Sequence, residues 1–120
     1  IEMIERLFPE IRPQAEYHRS LEVLKMIKKM APQMLIKSGF MVGLGESDDE
    51  VEKLLCELKA VGCDMLTIGQ YLAPSKSDRY VSVKRFVSPE IFEMYKNKAN
   101  RLERTANRVI GIVAELEDTE

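Results

Sequence analysis

Apolar positions recur every three or four residues between Glu16 and Met30: Leu21, Leu24, Ile27 and Met30, with Val23 and Met26 widening the stripe. That spacing predicts an amphipathic helix. Pro32 ends it, because the residue before a proline resists the α region. Upstream, Pro9 and Pro13 bracket Glu10-Ile11-Arg12, and two fixed φ angles with two missing donors predict an extended loop there. Met34 to Val42 is short and mostly apolar, the pattern of a buried strand. Gly43-Leu44-Gly45-Glu46 makes a turn, and Ser47 with Glu50 three residues on reads as a capping box. The helix it opens carries Val51, Leu54, Leu55, Leu58 and Val61 on one side, and Gly62 supplies a left-handed stop. A second buried strand runs from Met65 to Leu72 and breaks at Ala73-Pro74-Ser75. Lys76 to Lys84 is a polar, mobile loop. Ser88-Pro89-Glu90 opens another helix, with serine as cap and proline at the first helical position.

That last helix is expected to run towards Glu115. Phe92, Tyr95, Ala99, Leu102, Ala106, Val109, Val113 and Leu116 alternate spacings of three and four, a heptad-like stripe. The stripe can pack on its own domain or on another chain. The order helix, strand, helix, strand, helix implies parallel strands joined by a right-handed crossover. Two parallel strands cannot close a core alone. The chain therefore reads as α/β with parallel strands and a long C-terminal helix: a slice of a larger sheet or barrel, or a unit that needs a partner.

Composition removes several classes. With 120 residues and a formal net charge of -2, from 18 basic and 20 acidic side chains, nothing suggests nucleic-acid binding. No apolar run is long enough to span a bilayer, and Ile1 to Glu10 has no signal-peptide core. A cytoplasmic or organelle-matrix location is the default expectation. Cys56 and Cys63 are too few for a disulfide framework and too far apart for a metal knuckle, so both read as small buried side chains. His18 stands alone and reads as helix surface.

Ligands of parallel α/β folds bind beyond the carboxyl ends of the strands. Two segments end at that rim, Gly39 to Glu46 and Gly69 to Ser75. Glycines at Gly39, Gly43 and Gly45 let a flat ligand approach the backbone closely. Met41 and Leu72 could pack on the faces of an adenine, with neighbouring backbone groups bonding its edge. Gln70 and Tyr71 should point to opposite faces of the strand. The plain alternative is that the glycines are turn residues and Met41 is core. Gly43-x-Gly45 is not a phosphate-binding fingerprint, since the third glycine is missing. Lys37 either reaches a partner or snorkels out of an apolar strand. Arg12 and Arg19 could grip a carboxylate.

The specific wording of the chain goes further. Arg6-Leu7-Phe8-Pro9-Glu10-Ile11-Arg12-Pro13, Tyr17-x-Arg19-Ser20-Leu21-Glu22-Val23-Leu24, Lys37 to Glu46, Leu66 to Ser75, and Arg85-Phe86-Val87-Ser88-Pro89-Glu90-x-Phe92 with Tyr95-Lys96 resemble, in order, the lipoyl synthase family. The resemblance covers about Ile1 to Ala99 and is to the family's carboxy-terminal part. It implies an incomplete (β/α) barrel with two 4Fe–4S clusters and S-adenosylmethionine. One cluster cleaves S-adenosylmethionine to a radical that takes hydrogen from an octanoyl chain on a lipoyl carrier protein. The other cluster supplies sulfur, and the protein positions and shields the chemistry.

By the same resemblance, Gly39-x-Met41-x-Gly43-x-x-Glu46 matches the radical-enzyme motif G-x-I-x-G-x-x-E, with methionine for isoleucine. That motif supports the adenine, and Glu46 shapes its turn. Gln70, Tyr71 and Leu72 match the segment bordering the adenine, and Arg19 with Ser20 the start of a helix near the cofactor's polar end. Ile1-Glu2 resembles the end of a His-Asn-x-Glu-Thr element, with Met3 in place of threonine. The family's cluster cysteines lie upstream of Ile1, and its Arg-Ser-Ser-Tyr ending does not occur here. Residues 1–99 are thus expected to be barrel and 100–120 a divergent helical tail. The isolated chain is expected to be inactive, with no iron and little or no affinity for S-adenosylmethionine. An alternative expectation is a non-catalytic module that self-associates through residues 92–116.

Overall fold

The computed structural model describes residues 1–77, 79–104 and 111–115. The amino-terminal stretch folds more tightly than its prolines predict. A 3-10 turn over Glu5–Leu7 runs into a short helix α1, Phe8–Ile11. Pro9 sits within the first two positions of that helix, where a backbone donor is not needed. Burial of Leu7 and Phe8 favours the turn over an extended loop.

Helix α2 spans Tyr17–Met30, strand β1 Lys37–Val42, helix α3 Asp48–Ala60, strand β2 Met65–Gln70 and helix α4 Pro89–Arg104. The first strand is shorter than its apolar run, and Met34 and Leu35 before it are exposed. Beyond α4 the expected long helix is corrected. The helix is described as far as Arg104, and Gly111–Glu115 forms a third strand, β3, where the helix was expected to continue. The heptad-like stripe is not one helical face. Phe92, Tyr95 and Ala99 are spent in the chain's own core, and Val113 belongs to a strand. Ala106, Val109 and Leu116 lie outside the described residues. Gly111-Ile112-Val113-Ala114 is as compatible with a strand as with a helix. Pairing with β2 decides between them, as tertiary context commonly overrides a weak local pattern.

The sheet has the order β1-β2-β3, all parallel. Phe40 pairs with Ile68 and Met41 with Gly69. Strand alternation then gives two unlike faces. Phe40, Val42, Leu66 and Ile68 are buried in one cluster with Val51, Leu54, Leu55 and Leu58 of α3 and Phe92, Tyr95 and Ala99 of α4. Gly39, Met41, Thr67 and Gly69 lie on the opposite face and are only half-buried, with Met65 exposed. Burial on both faces, as the apolar runs suggested, is therefore not found among the described residues.

Helix α3 starts as its sequence predicts. The Ser47 hydroxyl accepts the Glu50 N–H at 3.2 Å and the Glu50 carboxylate accepts the Ser47 N–H at 3.0 Å. Its end at Gly62 has φ 90. At the opposite rim from the turns, the buried Asp64 carboxylate accepts from Lys28 at 2.7 Å and from the Ile36 N–H at 2.9 Å, tying α2 to the starts of both strands. Only Tyr17 and Leu21 of α2 are buried, while Val23, Met26, Ile27 and Met30 face out. Among the described residues no helix is long and apolar enough to cross a membrane.

Candidate functional site

The parallel register puts Val42 beside Gln70, so the Gly43 turn and the Tyr71 segment leave the sheet at one rim. The Tyr71 N–H donates to the Val42 carbonyl at 2.8 Å and extends the pairing by one residue. Gly43 has φ 94, the left-handed region that glycine tolerates best. A Cβ there would lie 2.3 Å from the Gln70 amide nitrogen and 2.6 Å from the Arg85 carbonyl oxygen. Both conformation and space therefore require glycine. Glu46 is buried, and its two carboxylate oxygens accept the Gly43 and Leu44 N–H groups at 2.6 and 2.9 Å. It closes the turn with charge-assisted bonds.

Gln70 and Tyr71 do something the sequence does not announce. The Gln70 carboxamide donates to the carbonyls of Tyr71 (2.9 Å) and Arg85 (3.0 Å) and accepts the Val87 N–H (2.8 Å). The Tyr71 hydroxyl donates to the Val81 carbonyl at 2.7 Å. The Lys84 N–H donates to the Gly43 carbonyl at 2.8 Å. Residues 81–87, partly assigned to a polar loop by pattern, thus form a strap across the strand ends. Below it the Tyr95 hydroxyl donates to Asp48 at 2.8 Å and accepts a long bond from Arg85 at 3.4 Å. Burial and the Asp48 carboxylate push the Tyr95 phenol well above its ordinary range.

Gly39 and Met41 share the half-covered sheet face with Thr67 and Gly69. Among the described residues no atom lies within 4 Å of a Cβ built on Gly69. Gly69 is a candidate the sequence could have yielded through its two-residue alternation with Tyr71 and its pairing with Met41. Leu72 is half-buried just past β2. Arg19 is exposed, and Ser20 donates back to the Glu16 carbonyl at 3.1 Å. Neither observation ties them to the strand ends. The Glu2 carbonyl accepts the Met41 N–H at 2.9 Å, and the Glu2 carboxylate accepts from Arg12 at 2.9 Å. Lys37 is exposed at the start of β1.

Cys56 is exposed, not buried as expected, because it falls on the outer side of α3. Cys63 is buried, which pushes its thiol up. Among the described residues no group of three or more His, Cys, Asp or Glu could hold a metal ion. Iron–sulfur clusters therefore do not fit these residues. Of the two strand glycines, among the described residues only Gly69 is open in front of its backbone, since a Cβ on Gly39 would lie 3.1 Å from the Thr67 carbonyl oxygen.

No protein-family model matches the chain. It is 51% identical over 102 residues to a lipoyl synthase of Alkaliphilus metalliredigens, covering 85% of this chain and 34% of that protein. It is 54% identical over 99 residues to a lipoyl synthase of Caldicellulosiruptor bescii, covering 82% and 33%. The chain belongs to the lipoyl synthase family, as a partial member. It spans about a third of the length of the curated relatives it matches. Within this partial lipoyl synthase, the candidate residues at the rim and on the open face all fall inside a match that takes in most of the chain.

Proposed function

We propose that this chain forms part of the S-adenosylmethionine cradle of a lipoyl synthase. The whole protein would insert sulfur into an octanoyl chain carried on a lipoyl carrier protein, by radical chemistry at 4Fe–4S clusters whose ligands come from elsewhere in it. The sheet is one section of an incomplete (β/α) barrel, and its half-covered face is the lumen side. Gly39, Met41 and Gly43 line one half of the cradle. Gln70, Tyr71 and Leu72 border the other, and Glu46 fixes the turn between β1 and α3. Arg19 and Ser20 belong to the polar end of the cofactor. S-adenosylmethionine, when bound beside a cluster, supplies the radical, and this chain's residues hold the adenine and exclude water. The isolated chain carries only part of the cradle, so its affinity is weak and it has no turnover.

One observation carries this reading. Two glycine-bearing strand ends leave a parallel sheet at the same rim, beside a face on which the described residues leave Gly39, Met41 and Gly69 only half-buried. The test is a chimera in which residues 1–99 replace the matching stretch of the Alkaliphilus metalliredigens protein. Conversion of octanoyl to lipoyl carrier protein, followed by mass spectrometry, is expected. A folded chimera that loads its clusters but never cleaves S-adenosylmethionine would sink the proposal.

A further inference from the structure

Most polar backbone groups at the rim are already engaged. The Gly43 and Leu44 N–H groups donate to Glu46, and the Tyr71 N–H donates to Val42. The Gly43 carbonyl accepts from Lys84, and the Tyr71 carbonyl from Gln70. A buried backbone donor spent on one acceptor is not free for a second. An adenine edge therefore cannot read these donors without displacing protein contacts. The Gln70 carboxamide is equally committed: it makes two donations and one acceptance, all to backbone.

We propose that Gln70 is a positioning residue, which latches the 84–87 strap over Gly43 and leaves recognition of the nucleoside to the open face at Gly39, Met41 and Gly69. This rests on the cradle reading above. The latch works from both sides of the amide. The nitrogen holds the Arg85 carbonyl while the oxygen holds the Val87 N–H, so one side chain fixes two points of the strap. Arg85 is fixed again through its guanidinium, at 3.4 Å from the Tyr95 hydroxyl and 3.9 Å from Asp48. Val87 is buried, which seats the strap's end in the core. Gln70 follows Leu66 and Ile68 on the helix-covered side of β2, so it sets where the strap crosses the rim without standing on the open face.

The test compares the full chain with Gln70→Ala and Gln70→Glu, using amide hydrogen exchange and NMR titration with millimolar S-adenosylmethionine. In Gln70→Ala the Lys84 and Val87 amides should exchange about tenfold faster, the size expected for losing a net bond or two. Amides of α3, which has its own cap, should not change and serve as the check on folding. S-adenosylmethionine should still shift the Gly39, Met41 and Gly69 signals, at several-fold weaker affinity. Gln70→Glu keeps an acceptor for Val87 and loses both donations, so it should restore protection at Val87 and not at Lys84. Unchanged strap exchange in Gln70→Ala would overturn the latch. Complete loss of the ligand shifts with the strap intact would make Gln70 a direct contact and overturn the positioning role. No shifts in the unsubstituted chain would overturn the placement of the nucleoside on the open face of this chain and the positioning role with it, while the cradle reading is tested by the chimera. The exchange rates would still report whether the strap is latched.

Discussion

The two faces of the sheet are built from the same two strands and have opposite fates. On one, Phe40, Val42, Leu66 and Ile68 are each at most 4% exposed beneath α3 and α4. On the other, two glycines, a threonine and Met41 are left half-covered. The helices divide the same way. Apolar residues recur at helical spacing in both α2 and α3, yet Val51, Leu54, Leu55 and Leu58 are at most 3% exposed while Met26 is 59% and Met30 78% exposed. Periodicity identifies which residues share a face. It does not say whether anything lies against that face.

If the closed face carries the stability, truncation there should be costly. Ile68→Ala removes a fully buried side chain and should cost about 2–5 kcal/mol in urea unfolding. Met30→Ala should stay within about 0.5 kcal/mol. Equal effects would break the contrast between the faces. At the rim between them, Gly43→Ala should cost about 1–3 kcal/mol, from a strained left-handed residue whose Cβ meets the Gln70 amide. Thermal unfolding, with strap exchange followed in parallel, checks it.

A smaller effect belongs to the start of α3. Ser47→Ala removes one arm of the capping box and should cost about 1 kcal/mol. Glu50 has its pKa lowered, first by the Arg6 guanidinium that donates to it at 2.9 Å and also by the Ser47 backbone. A carboxyl depressed by folding stabilises the native state above its unfolded pKa. That contribution is lost as pH falls through the folded pKa, so it should fade below about pH 4, from the ordinary glutamate value. Both groups are partly exposed, so the loss should be a few tenths of a kcal/mol to about 1. Glu50→Gln should flatten that limb of the pH–stability curve.

Local signals were legible where a residue acts on its own neighbours. Ser47 and Glu50 cap, Gly62 stops and Ser88-Pro89 starts, because each works within a turn or two. The parallel pair also followed from chain order. What pattern could not show depends on distant partners. The helix expected through Val113 gave way to a strand because β2 offers β3 an edge. The outward stripe of α2 depends on what packs there. Of the candidate site, the glycines and Glu46 were readable as a turn. The engagement of Gln70 and Tyr71 with the strap was not, since Val81, Arg85 and Val87 lie ten to seventeen residues further on. Gly69 falls in the rim segment read from the sequence, but its place beside Met41 on the less covered face shows only in the strand register.

The finest test of the two-faced sheet is also the one with the smallest expected effect on folding. A methyl group on Gly69 would meet nothing among the described residues within 4 Å. Its φ lies outside the left-handed region, so alanine is conformationally acceptable there. Gly69→Ala should therefore leave stability unchanged or raise it by up to about 1 kcal/mol, through a less flexible unfolded chain. The same methyl group would stand in front of the backbone on the face proposed to hold the nucleoside. Gly43→Ala strains the rim and should lose stability and ligand together. Gly69→Ala should separate them, keeping the urea midpoint while weakening the S-adenosylmethionine shifts at Gly39 and Met41. If those shifts keep their full strength, the ligand does not lie on the open face, and that face is merely surface awaiting its neighbours in the barrel.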